Sequence, residues 1–155
     1  MKIGIASDHA GFAKKEKLVK YLKKKHYEVV DYGTDSKMSV DYPDYAKKVC
    51  YGINNNEVEI GILICYTGIG MSIAANKVDN IRCAKVDNVK EAELTRLHNN
   101  SNVIALSARK SMFEIKDIID KFLKTNFSNE ERHIRRVNKL IDYDNNEIEM
   151  PKIDG

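Results

Sequence analysis

No stretch of this sequence approaches the roughly 20 consecutive apolar residues that a membrane-crossing helix needs, so a membrane role is not expected. Its three cysteines, Cys50, Cys65 and Cys83, include no C-x-x-C pair and no cysteine–histidine cluster at zinc-ligand spacing. Neither a disulfide framework nor a metal site follows, and a reducing, cytoplasmic setting is the simpler expectation. Charge of one sign is scarce too: the net value is +3. The lysines between Lys14 and Lys25 read as the solvated face of one helix, and no nucleic-acid partner is inferred from them. There is no internal repeat and no low-complexity linker. The N-terminus passes straight into the alternation Ile3, Ile5, Ala6, without a basic n-region or a long apolar h-region, so export is not expected.

What the sequence does contain is 155 residues, 43% of them hydrophobic and 32% charged, enough for one domain with a sizeable core. Short apolar runs alternate with longer segments of helical spacing, which predicts a parallel α/β sheet. The expected strands are Lys2 to Ser7, Glu28 to Tyr32, Ile60 to Ile64, Ile81 to Val86 and Val103 to Leu106. The run Ile60-Gly61-Ile62-Leu63-Ile64 is apolar on both faces and reads as a central strand. Helical stripes are Ala46, Val49, Cys50 and Ile53 behind Pro43, then Met112, Ile115, Ile118, Ile119, Phe122 and Leu123. A last helix carries Ile134, Val137 and Ile141, and Ser128 with Glu131 predicts a capping box at its start. The domain is read over residues 1–141, followed by a polar tail, 142–155, that passes Pro151.

Ligands of open parallel sheets bind at the carboxyl ends of the strands. Those turns hold Ser7-Asp8-His9-Ala10-Gly11, Cys65 to Gly70, Asp87-Asn88 and Ser107-Ala108-Arg109. Gly68 and Gly70 precede a helix whose free N–H groups and dipole favour an anion. The pattern is neither a dinucleotide fingerprint, since Ile73 stands at the third glycine position, nor a P-loop. A tight turn that needs glycine for its backbone angles explains the pair equally well. Cys65, at the end of the central strand, reads either as a nucleophile or base poised by that local field, or as a buried inert thiol.

Asp8 fits a helix cap, whereas His9 beside it suits hydroxyl or phosphate recognition. His98, with Asn99, sits between a helix and the fifth strand; it reads as a helix-end partner or as the acid that opens a sugar ring. Arg132 and Arg136 share one face of the last helix, either to grip a phosphate in paired hydrogen bonds or as solvated surface. Arg109 adds a third guanidinium from another part of the chain.

These residues assemble into an ordered set. Ser7-Asp8-His9-Ala10-Gly11, Val40-Asp41-Tyr42-Pro43-Asp44-Tyr45-Ala46, Gly61 to Cys65 and Thr67-Gly68-Ile69-Gly70-Met71-Ser72-Ile73-Ala74-Ala75-Asn76-Lys77 come first. His98-Asn99, Ala108-Arg109 and Arg132-His133 with Arg135-Arg136-Val137 follow. From Lys2 to about Ile141 the chain closely resembles the type B ribose-5-phosphate isomerase family, which also includes allose- and galactose-6-phosphate isomerases. The resemblance implies a three-layer αβα, Rossmann-like single domain with about five parallel strands and a C-terminal helix used in dimerisation.

It also implies an aldose–ketose isomerase working through a cis-enediolate. Cys65 would move the proton between C2 and C1, His98 would open the ring, and Thr67 would manage protons at O1 and O2. The amides from Tyr66 through Gly68 and Ile69 to Gly70 would hold the oxyanion, Asp8 and Asn99 the sugar hydroxyls, and His9, Arg109, Arg132 and Arg136 the phosphate. No metal or organic cofactor is implied. The implied assembly is a homodimer or tetramer with the site at the subunit interface. One departure stands inside the motif: the family usually has glycine after the cysteine, and this chain has Tyr66. Three readings remain open at this point, namely a ribose 5-phosphate isomerase, a hexose 6-phosphate isomerase, and a non-catalytic sugar-phosphate-binding module. A side chain at position 66 makes the pocket shallower, which favours the pentose.

Overall fold

Six-residue Ile60–Cys65 is buried along its whole length, and the rest of the molecule is arranged around it. A computed structural model describes residues 1–147. In chain order the elements are β1 (Lys2–Ser7), α1 (Phe12–Lys24), β2 (Glu28–Asp31), α2 (Tyr42–Asn54), β3 (Ile60–Cys65), α3 (Ile69–Ala75), β4 (Cys83–Lys85), α4 (Val89–Asn99), β5 (Val103–Ser107), α5 (Met112–Lys124) and α6 (Glu131–Asp144). The strands form one sheet in the order β2-β1-β3-β5-β4, every pair parallel.

Side chains of a strand alternate between its faces, and here the two faces carry separate cores. Ile60, Ile62 and Ile64 of β3, with Ile104 and Leu106 of β5, pack against Leu18 and Leu22 of α1 and Ile115, Ile118, Ile119 and Phe122 of α5. Leu63 and Cys65, with Val103 and Ala105, pack on the opposite face against Ala46, Val49 and Cys50 of α2 and Met71 and Ala75 of α3. The result is the expected three-layer α/β arrangement. Because α1 after β1 and α3 after β3 leave the sheet on opposite faces, a crevice opens between the carboxyl ends of β1 and β3, where such folds bind ligands.

Some expectations shift. The fourth strand is only Cys83–Lys85; buried Ile81 and Val86 lie outside it, although the Val86 N–H still donates to the Ala105 carbonyl of β5 at 3.1 Å. The capping box lies on α5 instead of α6: the Ser111 hydroxyl accepts from the Glu114 N–H at 3.2 Å while the Glu114 carboxylate accepts from the Ser111 N–H at 2.9 Å. Ser128 is not a cap; helix α6 begins after Glu130 and has no side-chain cap. The buried face of α6 is His133 and Val137, with Ile134 turned outward. The helix continues through Asp144, past the expected start of the polar tail at 142, and Pro151 lies outside the described residues. No helix among the described residues is long and apolar enough to cross a membrane.

Candidate active site

The loop after β3 turns sharply because Gly68 adopts φ 81°, a left-handed conformation that side chains resist. A Cβ there would also stand 2.9 Å from the Leu106 carbonyl carbon. This turn brings the Gly68 N–H back onto the Cys65 Sγ at 3.2 Å, in a residue that is only 4% exposed. A fixed donor therefore faces the thiol at the carboxyl end of the central strand. The next amide, Ile69 N–H, donates to Thr67 Oγ1 at 3.2 Å, which leaves the threonine hydroxyl hydrogen free to be given to a ligand. Among the described residues the N–H groups of Thr67 and Gly70 have no partner, so they can meet an oxyanion.

The ends of β1 and β5 close on this loop. The Asp8 N–H donates to the Ile64 carbonyl at 3.2 Å, and the Ala108 N–H donates to the Cys65 carbonyl at 2.8 Å. Asp8 is buried and its Oδ1 accepts from the Gly11 N–H at 3.0 Å, which braces the turn before α1; it does not cap the helix, whose N-cap is Gly11 with no side-chain cap. Gly11 is required for this approach, since a Cβ would lie 2.5 Å from the Ile64 carbonyl oxygen. The His9 Nδ1 accepts from the Val40 N–H at 3.2 Å; a neutral His9 then carries its proton on Nε2, as a donor. Arg109 reaches over Tyr66, with its guanidinium carbon 5.3 Å from the ring centroid. Tyr66 is not among the residues with positive φ, so its position does not demand glycine.

His98, Asn99, Arg132 and Arg136 form a second group, around a hollow of 230 Å³ that His133, Val137 and Leu140 complete. They are not beside Cys65. Helix α4 leaves the carboxyl end of β4 and runs back to the amino edge of the sheet, so its last turn, which contains His98 and Asn99, ends there. The Arg82 Nε, just before β4, donates to the Asn99 carbonyl at 3.1 Å, and the Gly61 N–H at the start of β3 donates to the Asn102 carbonyl at 2.9 Å. A strand rising about 3.3 Å per residue separates the two edges by roughly 16 Å over six residues. Within one chain, the expected base and the expected acid stand at opposite ends of the sheet.

His133 is named in the sequence motif but is given no role there. It is buried, its ring centroid lies 4.4 Å from that of His98, and its Nδ1 is 2.7 Å from the Ser128 hydroxyl. The Ser128 Oγ also accepts from the Glu130 N–H at 3.2 Å, so this hydroxyl ties His133 to the start of α6. Burial pushes the His133 imidazole below its ordinary range, and the neighbouring His98 acts in the same direction. Its i, i+4 spacing to Val137 was a usable signal. Among the described residues, no cluster of His, Cys, Asp and Glu is arranged to hold a metal ion.

An open parallel sheet with a buried thiol, a hydroxyl and free amides at the carboxyl end of its central strand defines a protein of the α/β class with a strand-end site for an anionic ligand. The Ribose/Galactose Isomerase family matches residues 3–140. The chain belongs to that family. It is 41% identical over 140 residues to ribose-5-phosphate isomerase B of Escherichia coli, covering 90% of this chain and 93% of the other. Among solved structures it is similar to a ribose 5-phosphate isomerase of Thermotoga maritima, with TM-score 0.89, 50% identity, and 91% and 97% of the two chains covered. It is also similar to ribose-5-phosphate isomerase B of Mycoplasma genitalium with bound ribulose 5-phosphate, with TM-score 0.88, 43% identity, and coverage of 93% and 96%.

Proposed function

We propose that this chain interconverts ribose 5-phosphate and ribulose 5-phosphate, with Cys65 as the base. Full-length relatedness to ribose-5-phosphate isomerases supports the reaction, and the observation that carries the residue assignment is the Cys65 sulfur held under the Gly68 amide beside unpaired backbone donors. Cys65 would take the proton from C2 of the open aldose and return it at C1. The charge that develops on oxygen would meet the Thr67 and Gly70 amides, donors already in place before the reaction and hence free of reorganisation cost. The Thr67 hydroxyl would pass the proton between O1 and O2. Asp8 would hold a sugar hydroxyl, and the His9 Nε2–H and Arg109 the phosphate.

The remaining groups come, on this reading, from a second copy. One chain keeps His98, Asn99, Arg132 and Arg136 at the far edge, so a symmetric pair would set each copy's histidine–arginine group against the other's thiol loop. Ile69 and Ile73 of α3 and Leu140 and Tyr143 of α6 are exposed apolar side chains beside the two half-sites, surfaces a second copy would cover. His98 of that copy would open the furanose ring and its arginines would complete the phosphate site. A thiol base works only when reduced, which fits a cytoplasmic setting. The test is a coupled assay with ribose 5-phosphate and allose 6-phosphate, run on wild type and Cys65→Ala. Turnover of the pentose, lost in the variant, is expected; equal activity of the two proteins would remove Cys65 from its role, and a preference for the hexose would overturn the substrate.

A further inference from the structure

Tyr66 stands where the chain could have carried no side chain at all, and its surroundings give that ring a task. The Ser107 hydroxyl donates to the Tyr66 carbonyl at 2.7 Å. The Ser107 Oγ in turn accepts from the Arg109 backbone N–H at 3.2 Å and from the Arg109 Nε at 3.3 Å. Cys65 and Ser107 are register partners on adjacent strands, so residues 66 and 109 meet diagonally just beyond the end of the ladder. There the guanidinium lies over the Tyr66 ring at 5.3 Å, within the range of a cation–π contact. The ring is 60% exposed and contributes nothing to either core. Among the described residues Arg109 has no carboxylate within ion-pair distance, and its two terminal nitrogens have no hydrogen-bond partner. One side of the guanidinium is thus held by hydroxyl and ring, and the paired donors that match a phosphate are left open.

We propose that Tyr66 is a positioning residue whose ring, together with the Ser107 hydroxyl, holds the Arg109 guanidinium ready for the substrate phosphate. This rests on the reading of Arg109 as a phosphate ligand. An arginine on an unrestrained stem must surrender its rotamer freedom when it grips an anion; one already stacked and hydrogen-bonded has less to lose. The gain is in binding and equal in ground and transition states, so it belongs in KM. The phenol hydroxyl takes no part, because the contact is made by the face of the ring.

The test compares Tyr66→Leu, which keeps bulk but removes the ring, with Tyr66→Phe, each made with and without Arg109→Ala. Tyr66→Leu should raise KM for ribose 5-phosphate about fivefold, the change that ~1 kcal/mol of cation–π attraction makes, with kcat moving less than twofold. Tyr66→Phe should restore the wild-type KM. In the Arg109→Ala background Tyr66→Leu should add nothing. A KM unchanged by Tyr66→Leu overturns the proposal, as does an equal rise with and without Arg109, which would mean that the ring touches substrate directly. Calorimetric binding of inorganic phosphate to the same proteins separates this from the choice of sugar. A wild type that turns over no pentose but binds phosphate about fivefold more tightly than Tyr66→Leu keeps the positioning role and loses the substrate; equal phosphate binding, or none, overturns the role itself.

Discussion

His133 lies against His98, ring centroids 4.4 Å apart and planes inclined at 38°, with the Ser128 hydroxyl fixed to the far side of His133 at Nδ1. Burial disfavours the charged form of His133, and the neighbouring His98 acts in the same direction. Protonation of His133 is expected to loosen this contact.

The sign follows from the direction of the shift. The folded imidazole binds its proton less readily than the unfolded one, because burial comes first among the causes and His98 and Arg132 add to it, against Glu130. The unfolded chain takes up a proton as pH falls through about 6.5, and the folded chain does so only lower. Stability from this group is complete above that range and is lost as pH falls through it. Thermal midpoints measured from neutral to mildly acidic pH should fall more steeply for wild type than for His133→Gln; parallel curves would contradict the assignment.

Mixing two inactive variants tests the split site. Cys65→Ala and His98→Ala should each be inactive alone. After unfolding and refolding together in equal amounts, half of the pairs are hybrids with one intact site, and about a quarter of wild-type activity should return. No recovery would place both groups in one chain's site.

Gly68→Ala should cost about 1–3 kcal/mol in denaturant unfolding, because the new Cβ meets the Leu106 carbonyl at a backbone angle it resists. The same change moves the amide that faces Cys65, so kcat should fall as well. A variant that is destabilised but fully active would separate the turn from the chemistry.

On α5, Ser111→Ala removes one arm of the capping box and should lower stability by ~1 kcal/mol, read from the denaturation midpoint at constant slope. Ser128→Ala should have little effect on helix formation and should instead alter the pH dependence assigned to His133.

The sheet was legible because its strands are short runs of Ile and Val whose period and burial coincide; β1 matches the expected Lys2 to Ser7 at both ends. The strand-end loops were legible for the same reason, since once β3 is central the Cys65 to Gly70 segment has one place to be. Capping was misplaced because Ser-x-x-Glu occurs at 111 and at 128, and only the fold decides which serine precedes a first turn. His133 was hidden because a histidine is not counted in an apolar stripe, although helical phase fits His133 and Val137 as well as Ile134. The separation of His98 from Cys65 could not be read from spacing. It depends on the direction in which α4 returns across the sheet.

That return path has a consequence for how the protein behaves in dilute solution. A site whose acid and base must be contributed by two chains exists only as long as the chains stay together. Turnover per chain would then decline when the protein is diluted below the dissociation constant of the pair and recover on concentration, so that abundance would act on this catalyst twice, through the number of chains and through the fraction of them that are paired.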